Sequence, residues 1–471
     1  MEIYHVSAEC FPAAKVGGLA DVVGALPKYI NRLRHSAKVV IPGYDTKFSR
    51  EQQFEDVFSG EVKLGVFHLH YTVVKEKTDL LGFELYQIKI PQLFDRPEIY
   101  GFEDDTERFT AFQIAFLDWI TETGQRPDIV HCHDHHTGLI PFMMQHCFKY
   151  GQLNRIPTVL TIHNAQYQGW FSFDKMHYLP EFAPVNAGYL EWNGAINPLA
   201  CAIKCVWKLT TVSPTYLEEM MHHANGLENL LRYERIKSVG ILNGIDTEVW
   251  NSKTDAMLVA NYDVKTMKSG KSKNKKVLCE QFALDEDLPI FAFIGRLVYE
   301  KGAELLPEIA RRILTEYKGR ANVLILGSGD PSVEDHLRAI SHFHREHYNC
   351  YIGYNEQLAH LVYGGSDFLL MPSRVEPCGL NQMYSLRYGT VPIVRRTGGL
   401  RDTVIDMGDG GFGICHDQTS ADDVLWSVGR ALELFADQKK FDAIRKTGMQ
   451  IDHSWDSVAQ HYIEQYLNLK R

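Results

Sequence analysis

Short runs of apolar residues recur along the chain, each closed by glycine, proline or a polar cluster and most followed by a longer segment of helical period. In the first half they are Ile3 to Ala8, Ala37 to Ile41, Phe83 to Ile90, Pro127 to His133, Pro157 to Ile162, Leu209 to Val212 and Val239 to Leu242. The second half repeats the pattern at Pro289 to Ile294, Val323 to Leu326, Tyr351 to Gly353, Phe368 to Met371 and Thr390 to Val394. Continuous apolar character, rather than strict alternation, predicts strands covered on both faces; such strands are parallel and need helical crossovers. Val62 to Val66 and His70 to Val74 are read as two further strands. Two successive series predict an α/β chain of two Rossmann-like domains. The boundary is expected after Asn243, giving residues 1–243 and 244–452. In the remainder, 453–471, Ser454 caps a helix whose Trp455, Val458, Ala459, Tyr462, Tyr466 and Leu469 share one stripe.

The stretch from Met371 to Asp402 concentrates the chemistry. Strand Phe368 to Met371 ends at Pro372, and Glu376 then leads Pro377-Cys378-Gly379-Leu380 into a helix starting at Asn381. The next strand ends in Thr397-Gly398-Gly399, which opens another helix. Backbone N–H groups at both helix starts suit an anion or sugar hydroxyls, and loops on adjacent strands share one crevice. Elsewhere, Lys15 precedes Gly17 and Gly18 in a strand, glycine loop, helix unit that lacks the spacing of a nucleotide-triphosphate loop. Arg296 and Lys301 flank another strand-to-helix loop, where a guanidinium fork and an ammonium grip two phosphates.

Composition adds mainly exclusions. With 471 residues the chain is too long for one ordinary core. Its 49 basic against 59 acidic residues give a net charge of −10, which argues against bulk nucleic-acid or anionic-membrane binding. An anionic ligand therefore needs a local cationic cluster. No apolar run approaches the ~18 residues of a membrane span, and Met1-Glu2-Ile3 enters a strand pattern directly, so a cytoplasmic protein is expected. Nine cysteines without framework spacing read as reduced thiols.

Three further clusters carry competing readings. His131, His133, Asp134, His135 and His136 crowd the end of one strand. Zinc held by His131, His133 and His135 or His136 is the rival to a sugar-handling site there. Asp285-Glu286-Asp287 has an acid-x-acid spacing but precedes its strand, at the wrong edge for a ligand, and is read as a polar turn. Half of the residues from Lys265 to Lys276 are lysine, which is read as a solvated helix start.

The chain resembles the bacterial glycogen synthases and plant starch synthases at Lys15-Val16-Gly17-Gly18-Leu19-Ala20-Asp21, at Asn243-Gly244-Ile245-Asp246 and at Glu376 to Leu380. These are retaining glucosyltransferases of the GT-B fold. The resemblance implies two Rossmann-like domains facing each other across a cleft, with 1–243 on the acceptor side and 244–452 binding the nucleotide sugar. The helix in 453–471 then crosses back to the first domain. It implies transfer of an α-glucosyl group from ADP-glucose, placed ahead of UDP-glucose, to the non-reducing end of an α-1,4-glucan with retention. No cofactor or metal is expected. Arg296, Lys301, Lys15 and the N–H groups after Gly17-Gly18 and Thr397-Gly398-Gly399 are expected to stabilise the departing diphosphate. Glu376 with the backbone of Cys378, Gly379 and Leu380 is expected to hold the glucose hydroxyls. Asp134, His163 and Asn164 are assigned to sugar and acceptor, Asp21 to the glycine loop, and Tyr354 to stacking on the base. Related transferases often carry a second glutamate eight positions on, where this chain has Tyr384. A zinc hydrolase and a non-catalytic glucan-binding protein are the alternatives.

Overall fold

Strand Glu2–Val6 pairs parallel with Ser36–Pro42 on one side and Ile129–His133 on the other. The chain order therefore reverses beside it, which is where an open α/β sheet leaves a crevice at the carboxyl ends of its strands. The computed structural model describes residues 1–470, and the chain divides into two units. The first comprises Met1–Gly244 and the final helix Trp455–Leu469. Its nine-stranded sheet runs Ser238–Gly240, Lys208–Thr211, Thr158–Ile162, Ile129–His133, Glu2–Val6, Ser36–Pro42, Glu84–Lys89, Phe67–Glu76, Phe54–Leu64. The final helix buries Trp455, Val458, Ala459, Tyr462 and Tyr466 against Ile3, Val22, Leu26 and Ile129 of this unit.

The second unit, Ile245–Ser454, has six parallel strands: Tyr348–Ile352, Asn322–Gly327, Ile290–Ile294, Phe368–Met371, Val391–Arg395, Ile414–His416. Here too the order reverses, between Ile290–Ile294 and Phe368–Met371. The loops that follow these two strands carry Arg296 with Lys301 and Glu376 with Cys378, so strand order alone brings the cationic and acidic motifs to one sheet edge. Apolar cores cover both faces of the sheet.

Two expectations need correction. Val62 to Val66 is not one strand: Phe54–Leu64 and Phe67–Glu76 form an antiparallel hairpin that turns at Gly65, where φ is +62°. The long first arm is an edge strand, mostly exposed, whose Glu55, Asp56, Glu61 and Lys63 interrupt its apolar residues, so it lacks the apolar run that betrays a buried strand. The lysine-rich segment is a helix, Met267–Phe282, but it is not uniformly solvated. Lys271 is 2% exposed and its Nζ donates to the carbonyls of Tyr363 and Tyr388 and to Thr390 Oγ1 at 3.0, 3.1 and 2.7 Å. Lys275 pairs with buried Asp367 at 2.9 Å. Asp285, Glu286 and Asp287 do form an exposed turn before their strand.

Candidate active site

In the second unit Glu376 is 4% exposed, and Lys301 Nζ donates to both of its carboxylate oxygens at 2.6 Å. The Ser373 hydroxyl donates to Glu376 Oε2 at 3.1 Å. Lys301 reaches the acid because the chain turns sharply after it: Gly302 has φ +68°, and a β-carbon there would lie 2.3 Å from the Pro372 carbonyl. The two glycine loops are in contact. Gly399 N–H lies 3.1 Å from the carbonyls of both Glu376 and Pro377, and a β-carbon on Gly398, at φ +44°, would come within 1.9 Å of Glu376 O. Only glycine permits this approach. The Gly399 N–H is consequently spent on the neighbouring loop, which narrows the donors that Thr397-Gly398-Gly399 has for a phosphate. Gln382 Nε2 braces Cys378 and Gly379 from below, donating to their carbonyls at 3.0 and 2.9 Å. Cys378 is buried, while Gly379 and Leu380 are half-buried.

Arg296 is exposed on the loop after Ile294 and makes no hydrogen bond or ion pair with another described residue. Tyr354, in the loop after Tyr348–Ile352, is 78% exposed. Tyr384 stacks on Trp250 at 3.8 Å and 17°, and Trp250 stacks in turn on His360 at 3.9 Å and 15°. The position where relatives place a second acid is therefore part of an aromatic pile.

In the first unit Asp134 ends its strand with φ 56° and ψ −174°, a conformation nearly confined to glycine that stores strain of about 1–3 kcal/mol. Its Oδ1 accepts the His163 N–H at 2.7 Å, fixing the two residues together, and burial pushes its carboxyl up to about 7. Asn164 Oδ1 closes the following turn by accepting Gln166 N–H at 3.0 Å. Lys15 and Asp21 form an ion pair at 2.6 Å. Above Gly17 and Gly18 the space is open, since a β-carbon on either meets nothing within 4 Å.

Sequence reasoning missed Glu9. Its Oε2 accepts the N–H groups of Val16 and Gly17 at 2.6 and 2.9 Å, and its Oε1 accepts the Tyr100 hydroxyl at 2.7 Å. Glu9 thus shapes the glycine loop by holding the N–H groups of Val16 and Gly17, which precede the helix start. An acid between the first strand and a glycine loop was the available signal. The histidines also regroup. His135 and His136 take no part in the cluster; His136 stacks on Tyr100 at 4.7 Å. His5, His131 and His133 instead come within 4.8 Å of one another, but both ring nitrogens of His131 and of His133 are engaged in hydrogen bonds. The zinc set expected as the rival reading is not assembled.

Residues 2–233 match the family model for the starch synthase catalytic domain, and residues 274–447 that for glycosyl transferases group 1. A glycogen synthase from Flavobacterium johnsoniae is 58% identical over 466 residues, covering 99% of this chain and 98% of that protein. The chain belongs to the bacterial glycogen synthase and starch synthase family. A Bacillus cereus glycogen synthase is 38% identical with full coverage of both chains. The solved catalytic domain of starch synthase IV from Arabidopsis thaliana, bound to ADP and acarbose, superposes with TM-score 0.91 at 32% identity, covering 100% of this chain and 99% of that one. A sucrose-phosphate synthase from Thermosynechococcus elongatus shares the fold alone, at TM-score 0.64 and 16% identity. As a family member the chain is a retaining hexosyltransferase of the GT-B fold with glycogen or starch synthase activity. No helix among the described residues is long and apolar enough to cross a membrane.

Proposed function

We propose that the chain transfers the α-glucosyl group of ADP-glucose, ahead of UDP-glucose, to the non-reducing end of an α-1,4-glucan, and that it does so in the cytoplasm. The starch synthase IV relative bound to ADP and acarbose carries the choice of donor and acceptor. The roles of individual residues are those the family resemblance implies, and the positions of the side chains support them. As the bond from C1 to the phosphate oxygen stretches, positive charge grows on the sugar and negative charge on the diphosphate. Arg296, exposed and without a partner among the described residues, and Lys301 meet that negative charge. Glu376, fixed by Lys301 and Ser373, receives glucose hydroxyls beside the backbone of Cys378, Gly379 and Leu380, and Tyr354 offers its exposed ring to the base. In the first unit Asp134, His163 and Asn164 orient sugar and acceptor, while Lys15, Asp21, Gly17 and Gly18 border the space over the glycine loop. Residues 1–243 serve the acceptor and 244–452 the nucleotide sugar.

Glu376 is paired with Lys301, and the position eight residues on holds Tyr384, stacked on Trp250, instead of a second acid. Retention is then met by same-face substitution: the C1–phosphate bond breaks, the bond from C1 to the acceptor O4 forms, and the acceptor proton passes to the departing phosphate oxygen. The test uses purified protein, glycogen and labelled ADP-glucose or UDP-glucose, with and without chelator. Glucan elongation faster with ADP-glucose and insensitive to chelator is expected. Loss of transfer restored by zinc or magnesium would refute the metal-free reading, and faster transfer from UDP-glucose would reverse the donor assignment.

A further inference from the structure

Three histidines form a hydrogen-bonded row through the interior of the first unit. His5 comes from Glu2–Val6, His133 from the neighbouring strand Ile129–His133, and His163 from the end of the next, Thr158–Ile162. His5 Nδ1 lies 3.1 Å from His133 Nε2, and His133 Nδ1 lies 3.0 Å from His163 Nε2. His131 lies beside the row, its ring centroid 4.8 Å from that of His5 and 4.4 Å from that of His133. It is outside the series, because its nitrogens are spent on Tyr466 Oη and Thr161 Oγ1, both at 2.7 Å. His5 and His133 are fully buried and His163 is 9% exposed. Burial holds all three imidazoles below their ordinary range, so they are neutral.

A neutral imidazole carries one proton, so consecutive N···N hydrogen bonds lock the tautomers in series. Two polarities exist. In one, each ring donates from Nδ1 towards His163, and His163 keeps its own proton on Nδ1. In the other every proton sits on Nε2, and the His5 Nε2–H is left buried. His5 Nε2 has no partner. A lone pair is the more tolerable orphan there, since buried unpaired N–H groups are the rarer defect. The first polarity is selected. His163 Nδ1 meets no acceptor among the described residues, while the His163 backbone is tied to Asp134.

We propose that His5 and His133 are positioning residues for glucosyl transfer, holding His163 as the Nδ1–H tautomer so that it presents a hydrogen-bond donor to a sugar hydroxyl. This rests on the reading of Asp134 and His163 as sugar-handling residues. It assigns a function to two buried rings that touch no substrate.

The full chain with ¹⁵N-labelled histidine reports the tautomer directly in a long-range ¹⁵N–¹H correlation spectrum, with His163 assigned by comparison with His163→Asn. His163 protonated at Nδ1 in the unaltered chain is expected; protonation at Nε2 would overturn the proposal without any variant being made. His5→Leu should mix the two His163 tautomers and lower kcat about tenfold, the loss of one hydrogen bond, with donor KM nearly unchanged. His5→Asn, which retains an amide donor near Nδ1, should restore both. A His5→Leu chain that is less stable yet keeps the tautomer and kcat would show that the row is only packing. Because the tautomer is read without substrate, absence of transfer by the unaltered chain is told apart as a failure of the proposed function itself.

Discussion

Lys301 Nζ sits 2.6 Å from both carboxylate oxygens of Glu376, so the cation assigned to the diphosphate and the acid assigned to the sugar are partners in one ion pair. Glu376 is almost wholly buried and Lys301 only partly exposed. Removing one member strands the other, which for buried pairs costs about 3–5 kcal/mol; the exposure of Lys301 puts this pair near the lower end. Lys301→Ala and Glu376→Ala should each destabilise the chain in urea unfolding, and the double variant should lose less than the sum, with a coupling of about 0.5–3 kcal/mol. Additive losses would show that the pair contributes nothing to the folded state.

Tyr384 predicts the opposite of what comparison with two-glutamate transferases suggests. Tyr384→Glu places an acid at the second position, but it also removes a ring stacked on Trp250 and puts a charge beside the pile. The expected result is a loss of roughly 2 kcal/mol in stability and no gain in transfer. Tyr384→Phe keeps the stack and should retain most of both. Higher activity in Tyr384→Glu would mean that this position can supply a carboxylate to the reaction.

The parts of this molecule that were legible in the sequence are those where burial is uniform. Phe368 to Met371 is apolar at every position because both sheet faces are covered, and Pro372 ends it, so strand and loop are readable without coordinates. The hairpin Phe54–Leu64 with Phe67–Glu76 was not, because an exposed edge strand carries charge where a buried one carries valine. Lys271 misled through composition: six lysines look solvated until the helix face meets the carbonyls of Tyr363 and Tyr388. Glu9 left only the weak signal of an acid ahead of a glycine loop, whereas His5 depends on strand pairing, which brings it to hydrogen-bond range of His133 far along the chain, and it has no local pattern. The tie between Asp134 and His163 belongs to the same class.

Asp134 supplies a pH dependence of defined sign. Its carboxyl is raised to about 7 by burial, against about 3.9 for an aspartate in an unfolded chain. Between those values the folded protein holds a proton that the unfolded chain has lost, so this site's contribution falls as pH rises, by at most about 1.4 kcal/mol per pH unit. Asp134→Asn removes the dependence and is nearly isosteric, so it leaves the backbone strain at this position as it was. Thermal melts at pH 5 and pH 8 should show the variant gaining on the unaltered chain at the higher pH. A constant difference would mean that Asp134 is already ionised in the folded state.

Tyr354 should govern donor affinity more than donor choice. Its ring is largely exposed, and stacking tolerates any base because every base has a π face. Tyr354→Ala should raise KM for ADP-glucose and UDP-glucose by similar factors, read from initial rates. An inverted preference would show that the ring discriminates between bases rather than serving as a platform.

Arg296 is expected to act on the transition state. It is exposed and free of protein partners among the described residues, so no ion pair has to break before it meets the leaving diphosphate, whereas Lys301 is already engaged by Glu376. The diphosphate gains charge as it departs, and a positive group binds it more strongly then than in the intact donor, which appears in kcat. Losing one preorganised charge-stabilising group typically costs about 2.7–4 kcal/mol, or roughly a hundredfold to a thousandfold in rate. Arg296→Ala should approach that with its fold intact, because no described residue pairs with the guanidinium. Lys301→Ala should show a comparable kcat loss together with the stability loss predicted for its pair. If the two cations act as one clamp, the double variant loses clearly less than the product of the single effects. Lys276→Ala, exposed on the lysine-rich helix, is the charge control and should remain near the unaltered rate. Should KM rise sharply in Arg296→Ala while kcat is untouched, the residue binds the donor only, and the leaving-group role falls to Lys301 and the backbone.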